Sequence, residues 1–96
     1  MTEDARDEEW LVEASRLLDK VRRLSGQERI VFKYFLDEVS VGILRAEAEL
    51  SKKGVKDPES IIRRLEELGL LERGRDSVSL ARPLRAFITR RPGVKI

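Results

Sequence analysis

Ile61-Ile62-Arg63-Arg64-Leu65-Glu66-Glu67-Leu68-Gly69-Leu70-Leu71-Glu72-Arg73 changes its apolar rhythm partway along. Ile61, Ile62, Leu65 and Leu68 recur at the spacings that put side chains on one face of a helix. Gly69 stops that helix where a left-handed residue is needed. Upstream, Asp57 is the N-cap and Pro58 stands at N1, where its missing N–H costs nothing. Downstream, Leu70-Leu71-Glu72-Arg73, then Gly74-Arg75-Asp76, then Ser77-Val78-Ser79-Leu80 read as a strand, a glycine-containing turn and a second strand. A helix running straight into a β-hairpin is the feature around which the rest of the chain is read.

Toward the N-terminus, Ala46 to Lys53 reads as a short helix ended by Gly54, and Val39-Ser40-Val41-Gly42-Ile43-Leu44 as a small strand or an extended connection. Ser25-Gly26-Gln27-Glu28 is a capping box that opens a helix whose apolar positions are Ile30, Val31, Phe32, Tyr34, Phe35 and Val39. Three of the chain's four Phe and Tyr residues lie in that helix, which marks it as the centre of the core. The first 24 residues form one long amphipathic helix, with Trp10, Ala14, Leu17, Val21 and Leu24 in a heptad seam and Leu11 and Leu18 beside it. Acids at its start and Lys20, Arg22 and Arg23 near its end suit the helix dipole. Two fates for the stripe stay open: packing across its own domain, or a two-fold dimer or partner seam through residues 2–24. Past the hairpin, Pro83 interrupts the chain, and Leu84, Phe87 and Ile88 suggest a short closing helix. Residues 90–96 have no apolar period and read as a basic tail.

The order helix, short strand, helix, helix, hairpin over residues 26–80 resembles the winged helix-turn-helix family, in particular its small stand-alone archaeal-type DNA-binding members. The most specific part is residues 61–73, similar to a family recognition helix running into its wing. The expected fold class is mainly α with a small β-hairpin: a winged helix over residues 25–89 with an added long N-terminal helix at residues 1–24.

Composition narrows function by exclusion. The 96 residues suit one domain, and cysteine and histidine are both absent. That removes disulfides, thiol nucleophiles, imidazole bases and the usual zinc ligands. No serine has a histidine partner, and no glycine-rich phosphate loop follows a strand, so the expectation is a protein that is not an enzyme and takes no cofactor, metal or small-molecule substrate. No apolar run approaches the roughly 18 residues that span a bilayer, and the acidic start does not read as a secretory signal; a cytoplasmic protein is expected. A 40% charged fraction with no Asn and a single Gln is what a hyperthermophile protein shows.

The net charge of +2 hides an asymmetry: residues 1–13 carry −5, residues 14–50 carry +1 and residues 51–96 carry +6. Positive charge gathered in the C-terminal half fits a nucleic-acid footprint or ordinary surface charge. The winged-helix resemblance implies that residues 58–68 enter the major groove of duplex DNA, with Arg63 and Arg64 on guanine or phosphate and Ser60 on phosphate. It makes Arg73 and Arg75 wing contacts and Lys52, Lys53 and Lys56 phosphate contacts, with Arg90 and Arg91 as a basic arm. Against this, residues 57–68 hold four acids (Asp57, Glu59, Glu66, Glu67) and two bases. Glu59 and Arg63 are spaced for an intrahelical pair, which makes a solvated salt-bridge face the competing reading. Two functions follow. The first is a duplex-DNA binder, as a dimeric transcription regulator; the second is a protein-interaction winged helix, an adaptor or accessory subunit of a replication, transcription or repair complex.

Overall fold

Local signals and long-range closures divide the work of setting the element boundaries. The computed structural model describes the backbone of residues 2–90 and the side chains of residues 12–88. Among these the order is α1 (Thr2–Arg22), α2 (Gly26–Glu38), β1 (Ser40–Gly42), α3 (Ile43–Lys52), α4 (Pro58–Glu67), β2 (Leu71–Arg73), β3 (Ser77–Leu80) and α5 (Arg82–Arg90). Both halves of the α2 capping box form: the Glu28 N–H donates to Ser25 Oγ at 3.4 Å, and the Ser25 N–H donates to Glu28 Oε1 at 2.8 Å. Asp57 caps α4 through the Ser60 N–H, and Pro58 is its first residue. Gly69, at φ +81, follows α4 and lets the chain turn back into β2. Arg29 hydrogen-bonds the carbonyls of Leu24 and Arg22, satisfying acceptors left open where α1 ends.

The helix expected from Ala46 begins three residues earlier, at Ile43. The Ile43 N–H donates to the Asp76 carbonyl at 3.0 Å, so the hairpin turn supplies a cap that no residue beside Gly42 advertises. Ile43 and Leu44 therefore belong to α3 and leave only Ser40–Gly42 as strand. That strand is a true sheet member. It pairs antiparallel with β3 on the side opposite β2, giving the order β1-β3-β2, with Val41 opposite Val78 and Leu71 opposite Leu80. The expected two-stranded hairpin is thus two strands of a three-stranded sheet. Val41, Leu71, Val78 and Leu80 are buried toward the helices.

Phe32, Phe35, Leu50, Ile62, Leu65, Leu70, Leu80 and Leu84 are the largest fully buried side chains, so α2 is at the core's centre. Two residues counted with that core from sequence are not in it: Ile30 is 41% exposed and Val39 is 36% exposed. Ala14, Leu17, Val21 and Leu24 are buried on their own chain, the last three in the main core cluster with α2, α4 and the sheet. α1 packs chiefly on α5, and Lys20 Nζ reaches across to the Leu68 carbonyl at 2.8 Å. These four positions of the expected seam are buried within the single chain. Trp10 lies outside the described side chains. The result is a mainly helical protein with a small antiparallel sheet, compatible with an α-rich winged-helix-like fold.

Candidate functional site

The face a winged helix would turn to DNA is built from α4, the turn before it and the β2–β3 hairpin. Arg63 and Glu59, one helical turn apart on α4, close to 3.1 Å. Arg64 points the other way and meets Glu28 of α2 at 2.9 Å. Arg73 on β2 meets Glu66 at 2.7 Å, and its guanidinium is held further toward the charged form by that hydrogen bond first and by the nearby charges of Glu66, Glu59 and Glu47. All three candidate arginines of α4 and β2 are thus paired with the chain's own carboxylates. Exposed pairs of this kind are worth only about 0–1 kcal/mol each, so pairing alone would not keep them from a phosphate. The net charge weighs more. Glu47, Glu59 and Glu66 act on Arg73, and residues 57–68 hold four acids against two bases, so the field there opposes a polyanion.

Ser60 sits in the first turn of α4, where its backbone N–H serves the Asp57 cap, and its side chain is exposed. Lys52, Lys53 and Lys56 are exposed around the turn between α3 and α4. Gln27, the only amide side chain in the protein, holds that turn from α2: its Nε2 donates to the Gly54 carbonyl at 3.5 Å, and its Oε1 accepts from the Lys56 N–H at 3.4 Å. Arg75 is exposed at the hairpin tip. Arg90 ends α5 with a side chain outside the described set, and Arg91 lies outside the described residues altogether. Of the expected DNA residues, Lys52, Lys53 and Lys56 thus stand around the α3–α4 turn, Arg75 at the hairpin tip, and Arg63, Arg64 and Arg73 are paired with carboxylates.

A second site lies on the outer side of α2 and α3, where sequence reading placed none. The two helices run antiparallel, with Glu38 beside Arg45 (3.9 Å) at one end and the Tyr34 hydroxyl on Glu49 Oε1 (2.6 Å) in the middle. Arg45 Nε also reaches Glu49 Oε1, at 2.8 Å. Burial, followed by the hydrogen bond to Glu49, raises the Tyr34 phenol above its ordinary range. The same hydroxyl is the main cause holding the Glu49 carboxyl low, with Arg45 adding to it. A groove of about 280 Å³ runs along this network. Ile30, Lys33 and Lys53 line one end, and Asp37 and Glu38 the other. Ile30, Lys33, Asp37 and Glu38 recur at helical spacing, a signal that was in the sequence but was masked when Ile30 was counted as core.

The class that the fold defines is a small, mainly helical domain with a three-stranded antiparallel sheet. Residues 25–86, more than half of the chain and spanning α2 into α5, match the model of the PolB1 Binding Protein 2 family, and the chain belongs to that family. No curated protein matches it.

Proposed function

We propose that this protein is an accessory subunit without catalytic activity of its own, which works by binding a partner protein, and that the partner is polymerase B1 in a replication complex. The observation that carries this reading is the family match over residues 25–86, because that family is named for binding PolB1. It favours the adaptor expectation over the duplex-DNA and transcription-regulator one. The electrostatics agree with it: the α4 face on which a DNA-reading winged helix relies is acidic here, and its arginines are paired internally.

The test is size-exclusion chromatography with light scattering on the full chain mixed with polymerase B1 from the same organism, beside an anisotropy titration of the chain against random duplex DNA. Co-elution with the polymerase is expected, with duplex binding weak and lost between about 50 and 200 mM salt. Tight, sequence-selective duplex binding without co-elution would return the DNA reading to the lead.

A further inference from the structure

From the α2–α3 groove we infer the docking surface for that partner: it takes a segment of polymerase B1 that carries an apolar side chain with an acidic residue to one side and a basic residue to the other. The inference rests on the accessory-subunit reading and adds to it where the partner sits and in which direction it lies. Three observations carry it. The groove is concave and about 280 Å³, room for one or two side chains of an incoming segment. Ile30 stands at its mouth 41% exposed, although it belongs to the helix at the centre of the core. The groove is also polar end to end, with Lys33 and Lys53 around Ile30 and Asp37 and Glu38 at the far end.

That polarity is what makes the occupant specific. An acidic residue of the segment meets Lys33 and Lys53, an apolar side chain covers Ile30, and a basic residue reaches Asp37 and Glu38. Reversing the segment would set like charges against each other at both ends, which fixes its direction. The floor is already satisfied, since the Tyr34 hydroxyl donates to Glu49, which also accepts from Arg45 behind it, so docking covers that pair without leaving it unmatched. A duplex does not fit the same groove, because Asp37 and Glu38 would face phosphate.

The experiment is biolayer interferometry of the full chain against polymerase B1, comparing wild type with Ile30→Glu, the double variant Lys33→Glu/Lys53→Glu, and Leu44→Glu. Leu44 is 81% exposed on α3 and does not line the groove, so it serves as the control for an apolar contact elsewhere on the surface. All the substituted side chains are exposed, and thermal melts check that each variant folds. The expected result is a loss of about tenfold or more in affinity for Ile30→Glu and for the lysine double variant, with Leu44→Glu like wild type. Groove variants that bind like wild type, or a loss confined to Leu44→Glu, would overturn the assignment. Failure of the wild type itself to bind polymerase B1 would instead sink the accessory-subunit reading on which it rests.

Discussion

Single residues set the pH response and hold the one strained point of the described backbone. Glu28 has its carboxyl lowered from the ordinary value of 4.5, first by the Ser25 backbone N–H and then by the Ser25 hydroxyl and Arg64. A carboxyl lowered in the folded state contributes stability that is present above its unfolded pKa and is lost as the pH falls through the folded one. Chemical denaturation should therefore show stability falling below about pH 4.5 in the wild type, and Glu28→Gln should be less stable at neutral pH with a shallower acid limb. An unchanged acid limb would remove Glu28 from that role. Val39 is a β-branched residue at φ 66 and ψ −50, held there because its N–H donates to the Phe35 carbonyl and its carbonyl accepts the Leu80 N–H, both at 2.8 Å. Such a conformation costs a β-branched residue on the order of 1–3 kcal/mol, and glycine adopts it freely. Val39→Gly is expected to gain about 1 kcal/mol after its own entropic cost, read from the urea midpoint. A loss of stability would mean that the Val39 side chain contributes more than the strain removes.

At the scale of elements, α1 packs its stripe within its own chain, in line with the first of two readings that the sequence left open. Its 4-and-3 spacing is the same whether the stripe meets a second copy or its own domain, so periodicity could not choose between them. Here Leu17 and Val21 are buried on their own chain, and Gly69 stands against Leu17, 3.5 Å from its Cδ2 to the position a Cβ would take. Leu17→Ala is expected to cost about 2–3 kcal/mol in a thermal or urea melt without changing the mass in solution. A change of oligomeric state with little change in stability would restore the dimer seam. Elements closed by near neighbours were legible in advance: the Ser25–Glu28 box, the Asp57-Pro58 start and the Gly69 stop all act within a few residues. The early start of α3 was not, because its cap is the Asp76 carbonyl of the hairpin turn. The place of β1 in the sheet was hidden for the same reason, since Ser40 pairs with Ser79 across 39 residues.

For the whole molecule, overall charge was a poor guide to the surface. The +6 of residues 51–96 suggested one basic footprint, yet folding pairs Arg64 with Glu28 and Arg73 with Glu66, so part of that charge meets the chain's own carboxylates. Neither the composition nor the α4 pattern reveals those pairings, which include one across a 36-residue separation between Glu28 and Arg64. Of the groove between α2 and α3 the sequence carries the α2 half, in the helical spacing of Ile30, Lys33 and Asp37, whereas Glu49 and Lys53 join it only through the fold.

The most direct test of the central claim is isothermal titration calorimetry of the full chain into polymerase B1 at about 200 mM salt, where non-specific contacts to polyanions are largely screened. Saturable heat with a fixed stoichiometry, retained at that salt, is the expected result for a protein-binding accessory subunit. Absence of binding heat at two temperatures, with both proteins folded, would contradict it.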